Sequence, residues 1–177
     1  MRTIQAELSS LLVIDLQPRL MRVIEDGDAV IANAKRLLDA AGLFGVPALF
    51  TEQNAKGLGP TVETFAPPES AVLPKMCFDA SRVQGFAAKL GNRPDVIVSG
   101  CEAHVCVLQI VLSLLDEGRR VFAVRDAIGS RRAESKETAI RRMERHGAEI
   151  VTAEMVIFEW LGTAEHPRFK EAAALVK

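Results

Sequence analysis

Three side chains pair a reactive group with an informative setting: Asp15, Lys75 and Cys106. Cys106 lies in the segment Gly100-Cys101-Glu102-Ala103-His104-Val105-Cys106-Val107, after the apolar run Val96 to Ser99 and before a strongly apolar helical pattern. That order places it in the first turn of a helix, where unpaired N–H groups and the positive end of the dipole favour a thiolate and can receive an oxyanion. Such a cysteine is a candidate nucleophile, and it equally fits a small hydrophobe packed between helix and sheet. Asp15 closes the run Leu11-Leu12-Val13-Ile14. A carboxylate there is costly to desolvate unless it has a hydrogen-bond or charge partner. Lys75, between Leu73-Pro74 and Met76-Cys77-Phe78, is a plausible partner in a setting unusual for lysine. A snorkelling surface lysine would read the same way.

Other residues have two readings each. His104 can contact a substrate or satisfy a backbone group beside the helix start. Gln17 and Phe78 can line a pocket; Gln17 can instead bond a neighbouring loop, and Phe78 can be core. Asp126 is expected to anchor a turn through its carboxylate. Trp160, within Met155 to Leu161, is expected to make a packing or subunit contact.

The elements that must position these groups follow from patterning. Short apolar runs at 11–15, 46–51, 95–100 and 120–126 are rich in β-branched or aromatic residues and edged by turn residues, as in buried parallel strands, and 148–152 adds another. Helical periodicity covers 29–44, 81–90, 105–115 and 134–146, with Gly45, Gly91, Gly118 and Gly147 where left-handed C-caps are expected. Strand and helix alternate, which points to a parallel sheet covered on both faces by right-handed crossovers. Ligands bind such sheets beyond the strand carboxyl ends, where strand order reverses. Gln53 to Pro68, with no sustained period, is the expected long loop over the site. A final helical stretch, Phe169 to Val176, packs either on the domain or on a second subunit.

The chain has 177 residues, 49% of them hydrophobic, which suits one domain over 1–177 with a full core. Twenty-two basic and 23 acidic residues leave a formal charge of −1 with no long block of either sign, so neither nucleic acid nor an anionic membrane is an expected partner. The first apolar run is far short of a signal-peptide core or a membrane span, and a cytoplasmic protein is expected. Cys77, Cys101 and Cys106 form no paired spacing, so free thiols are expected rather than a disulfide framework or a zinc ribbon.

Taken together, Val13-Ile14-Asp15-Leu16-Gln17, Pro74-Lys75, the 100–107 segment, and Arg125-Asp126-Ala127 with Ser130-Arg131 resemble the isochorismatase-like cysteine hydrolases, which include nicotinamidases and N-carbamoylsarcosine amidase. The resemblance covers nearly the whole length, and the 100–107 segment is its most specific part. It implies a three-layer α/β, doubly wound, Rossmann-like fold with a mostly parallel six-stranded sheet and helices on both faces. It also implies that Cys106 is the nucleophile, Asp15 the general base and Lys75 the cation that holds both. The oxyanion would lie between the backbone N–H groups of Glu102 and Cys106, after a cis peptide at Cys101–Glu102. The expected chemistry is C–N hydrolysis of a small amide or carbamoyl compound through a thioester. Enol-ether hydrolysis, a redox-active thiol and a non-catalytic binding protein are the alternatives. Nicotinamidases hold a metal just after the second strand, but residues 50–57 contain no histidine and His104, His146 and His166 are scattered, so no metal or organic cofactor is expected. The resemblance further implies a homo-oligomer, dimer or tetramer.

Overall fold

The apolar runs become six strands, β1 (Ser9–Ile14), β2 (Ala48–Gln53), β3 (Val72–Lys75), β4 (Asp95–Cys101), β5 (Arg120–Gly129) and β6 (Glu149–Val151). Between and after them lie α1 (Pro18–Met21), α2 (Gly27–Phe44), α3 (Ala55–Leu58), α4 (Phe86–Leu90), α5 (Leu108–Asp116), α6 (Ala133–Arg145), α7 (Ala153–Leu161) and α8 (Phe169–Leu175). The computed structural model describes residues 3–177. The strands form one sheet in the order β3-β2-β1-β4-β5-β6, and every neighbouring pair is parallel, so the sheet is wholly rather than mostly parallel.

Residue alternation along β1 divides the interior in two. Leu11 and Val13 join the core under α2, α7 and α8, while Leu12 and Ile14 join the core under α4, α5 and α6. Both faces are therefore covered, as near-continuous apolar strands require. Burying one large aliphatic side chain in either layer contributes about 1.5–3 kcal/mol, and the two clusters together enclose most of the chain's Leu, Ile and Val.

Two of the expected helices differ from the sequence expectation, and one strand was not expected. The helix expected over 81–90 is a 3-10 turn at Ala80–Arg82 followed by α4, broken where Gly85 takes a φ of 89°. Asp79 caps the 3-10 turn, its Oδ1 accepting from the Ser81 backbone N–H at 3.0 Å. The helix expected over 105–115 starts as a π-helical turn, Ala103–Val107, that runs into α5. The unexpected strand is β3, a four-residue edge strand whose Pro74 suits an edge. The apolar stretch around Trp160 is helix α7, and the indole Nε1 donates to Ser9 Oγ at 3.1 Å in the core, so Trp160 makes an internal packing contact. α8 packs on the domain itself, with Ala172 fully buried.

Chain order explains where a site can form. From β1 the chain steps outward to β2 and β3, then returns to the other side of β1 as β4 and continues to β5 and β6. The reversal falls between β1 and β4, whose carboxyl ends carry Asp15 and the 100–107 segment. Gly100 makes that meeting close. Its φ is 120°, and a Cβ there would lie 2.0 Å from the Ile14 carbonyl oxygen, a main-chain atom that has no room to give.

At the opposite end of the sheet Asp95 begins β4, fully buried. Burial raises its carboxyl pKa; nearby Arg120 opposes the rise and Glu149 adds to it. A carboxyl whose native pKa is raised binds its proton more tightly folded than unfolded. Its contribution therefore favours folding most at low pH, and is lost as pH rises from the unfolded value of about 3.9 through the raised native value. Urea unfolding of wild type and Asp95→Asn should give a stability difference that shifts in favour of Asn as pH rises through that window. A difference that does not change with pH would remove the effect.

Candidate active site

Three parallel strand ends deliver the site. β1 ends at Ile14, and the next residue, Asp15, takes a left-handed conformation with φ 50°. Aspartate tolerates that region at a cost of about 1–2 kcal/mol. The turn is held by the Asp15 N–H on the Thr51 carbonyl (3.1 Å) and the Gln17 N–H on the Asp15 carbonyl (2.9 Å). Asp15 is fully buried and both of its carboxylate oxygens are bonded. Oδ1 accepts from Thr51 Oγ1 at 2.6 Å and Oδ2 from Lys75 Nζ at 2.6 Å.

Lys75 ends β3, its side chain as enclosed as that of Asp15. The desolvation cost of such a pair is met only when geometry and further hydrogen bonds are good. Here the ammonium also donates to Gln53 Oε1 at 2.8 Å and to Cys106 Sγ at 3.5 Å. Cys106 stands in the π-helical turn between β4 and α5, 6% exposed. The three residues singled out from sequence therefore converge, with Lys75 touching both of the others.

The thiol does not behave as its helix-start position alone suggests. Burial, followed by the charge of Asp15, pushes Cys106 up to about 12, while Lys75 pulls it down. Burial and the Asp15 carboxylate thus favour a resting thiol over a free thiolate. Such an arrangement can pass the thiol proton to Asp15 as sulfur attacks. Cys101 is different. It is fully buried, pushed to about 12 by burial, and belongs to the core on the α2 side, whereas Cys106 belongs to the core on the α5 side.

The Cys101–Glu102 peptide is cis. Glu102 opens the π-helical turn, its carbonyl accepting from the N–H groups of Val105 (3.1 Å) and Val107 (3.2 Å). Its carboxylate Oε2 accepts from Arg131 N at 3.1 Å and Nε at 3.0 Å, which ties the turn to the Ser130-Arg131 pair after β5. His104 Nδ1 is hydrogen-bonded to Ser130 Oγ at 3.1 Å. With Val23, Arg131, Arg132 and Ser135 it lines a largely polar cavity of about 450 Å³.

Gln17 is fully buried and bonds the 53–59 segment, accepting from Gln53 N at 2.8 Å and donating to Gln53 O at 3.0 Å. Phe78 is 51% exposed, so it is not core. Asp126 anchors α7, its carboxylate accepting from Ala153 N at 2.9 Å. The expected long loop over 53–68 contains the short helix α3. Thr51 and Gln53 are the site residues that sequence reading missed. Both are polar at the end of a buried strand, two residues apart and so on one face, and that was the available signal. Among the described residues no three His, Cys, Asp or Glu side chains group to hold a metal.

The isochorismatase domain model matches residues 9–155. The chain belongs to the isochorismatase family. Isochorismatase domain-containing protein 2 of Macaca fascicularis is 38% identical over 172 residues, which is 96% of this chain and 83% of the relative. The MAR1 ribonuclease of Caenorhabditis elegans is similar in structure, with a TM-score of 0.93 at 36% identity over 98% of this chain and 92% of that one. The Escherichia coli YcaC gene product, described as an octameric hydrolase of unknown specificity, has a TM-score of 0.93 at 24% identity over 99% and 89% of the two chains. At that identity the likeness is one of fold. The isochorismatase-like α/β architecture expected from the sequence is the one observed. Among the described residues no helix is long and apolar enough to cross a membrane.

Proposed function

We propose that this isochorismatase-family protein is a cysteine-dependent hydrolase of a small molecule, cleaving an amide or carbamoyl C–N bond. The observation that carries the reading is the enclosed Lys75 ammonium bonded at once to Asp15 Oδ2 and Cys106 Sγ, at the point where strand order reverses.

In this reading Cys106 Sγ attacks the carbonyl carbon as its proton passes to Asp15. The oxyanion is met by the backbone N–H groups of Glu102 and Cys106. Asp15 then returns the proton to the departing nitrogen, which leaves as ammonia or an amine, and Cys106 is left as a thioester. A water molecule, losing its proton to Asp15, releases the acid and restores the thiol. Each step balances using groups present in the chain, with neither a metal nor an organic cofactor. The cavity beside His104 is lined by none of Asp15, Lys75 and Cys106; Lys75 instead borders, with Asn54, Lys56, Pro74 and Met76, a cavity of about 620 Å³, a volume suited to a small ligand.

Separation of Cys101 and Cys106 onto opposite faces of the sheet favours hydrolysis over a redox cycle, which needs a resolving thiol within reach. A cysteine beside the aspartate favours C–N over enol-ether cleavage. A reducing, cytoplasmic setting suits the free thiols. Assembly as a homo-oligomer, a dimer or tetramer, belongs to the same reading and is supported by exposed Met155 and Phe158 one turn apart on α7.

Purified protein and Cys106→Ala should be assayed on a panel of small amides, carbamoyl compounds, enol ethers and an RNA oligonucleotide. The expected result is turnover of an amide or carbamoyl compound that the substitution abolishes. Turnover unaffected by the substitution, or activity confined to RNA or enol ethers, would overturn the reading.

A further inference from the structure

We propose that Gln53 is a positioning residue of this site, fixing the Lys75 ammonium so that one of its N–H groups stays on Cys106 Sγ. The proposal rests on Cys106 being the nucleophile. An ammonium has three N–H donors and no acceptor. Lys75 Nζ has three acceptors around it, Asp15 Oδ2 at 2.6 Å, Gln53 Oε1 at 2.8 Å and Cys106 Sγ at 3.5 Å. With two donors committed to oxygen, the direction of the third is set, and it falls on sulfur.

Gln53 is itself held from three sides. Its Nε2 donates to the Met76 carbonyl at 2.8 Å, which leaves Oε1 facing the ammonium. Its main-chain N–H donates to Gln17 Oε1 at 2.8 Å, and Gln17 Nε2 returns to the carbonyls of Gln53 and Gly59. One residue further on, the Asn54 N–H donates to the Lys75 carbonyl at 2.9 Å. The ends of β2 and β3 are thereby tied together around Lys75, in the register that opposes Gln53 to it.

The residue type matters as well as its place. An amide accepts a hydrogen bond without adding charge, so Asp15 and Lys75 remain one balanced ion pair in an enclosed space. A carboxylate at position 53 would put a second anion on the ammonium and weaken its pull on sulfur, leaving the opposing field of Asp15 dominant.

The test follows Cys106 alkylation by iodoacetamide, read from the mass of the Cys106 peptide across about pH 6 to 11, a range below the raised thiol value in which the rate at each pH reports the thiolate fraction. Wild type, Gln53→Met and Gln53→Glu are compared, with Asp15→Asn and Lys75→Met as references. Gln53→Met, folded by circular dichroism, should alkylate about five- to tenfold more slowly below the midpoint, the value of one hydrogen bond in a rate. Its profile should move to higher pH, and that of Gln53→Glu should move further the same way. A Gln53→Met profile that superimposes on wild type, while the two reference variants are displaced, would overturn the role of Gln53 and leave the nucleophile standing. If no variant displaces the profile, the nucleophile reading itself fails. Should Gln53→Met not fold, Gln53→Glu decides, because it keeps size and acceptor; an unchanged or lower-pH profile would then overturn the proposal.

Discussion

Lys75→Met should destabilise the protein by about 3–5 kcal/mol, because it leaves the buried Asp15 carboxylate without its cation. Asp15 is fully buried, and its remaining side-chain bond, from Thr51 Oγ1, carries no charge. For a chain of this length each kcal/mol moves the melting temperature by about 2–4 °C, so a fall of roughly 6–20 °C is expected. The pair, and not lysine itself, is the source of the effect. Asp15→Asn/Lys75→Met, which removes both charges, should therefore recover at least half of the loss. Urea unfolding of the wild type, both single variants and the double variant closes the cycle. A Lys75→Met change under 1 kcal/mol, or losses that simply add, would show that the two charges are not energetically coupled.

The second large effect separates reactivity from catalysis. Asp15 raises the Cys106 thiol through its charge and its hydrogen bond, and Lys75 opposes it. In Asp15→Asn the ammonium is opposed by burial but no longer by a neighbouring anion, so the alkylation midpoint of Cys106 should fall below its value of about 12, in the direction of the ordinary thiol value of about 8.5. Hydrolysis should move the other way. Without the group to which the proposed mechanism assigns uptake of the thiol proton and its delivery to the leaving nitrogen, turnover should drop by about 10²- to 10⁴-fold. Loosening of the fold would also expose the buried thiol and reduce turnover, so the comparison is made on Asp15→Asn shown by circular dichroism and cooperative urea unfolding to keep the native fold. A midpoint that stays or rises would contradict the electrostatic role assigned to Asp15, and unchanged turnover would contradict its role in proton transfer.

Much of this site was readable before the strands were placed. Asp15 stood out because a carboxylate at the end of an apolar run must be partnered, and Cys106 because a strand gives way to a helix just ahead of it. Lys75 was ambiguous from its apolar neighbours alone and gained meaning from the resemblance. What the chain order does not display is register. Thr51 and Gln53 matter because β2 lies beside β1, with Ile14 opposite Thr51, and beside β3, with Gln53 opposite Lys75. In the sequence Thr51 closes the expected strand at 46–51 and Gln53 opens the expected loop, and neither position by itself shows which strand lies beside it. β3 escaped notice for the same reason that it can hold Lys75, being four residues long at a sheet edge with a proline inside it. The raised thiol pKa was not legible either. Helix-start placement argued for a thiolate, whereas enclosure and the adjacent carboxylate push the thiol up. In the proposed mechanism that reversal puts more weight on Asp15 as the base, since a resting thiol must pass its proton on.

The most direct test of the central claim is rapid acid quenching during turnover of an active amide from the panel, followed by intact-mass and peptide analysis. The account requires an acyl adduct, with the mass of the substrate less its leaving amine, confined to the peptide bearing Cys106 and absent from Cys106→Ala. An adduct on another residue, or full turnover by Cys106→Ala, would contradict it.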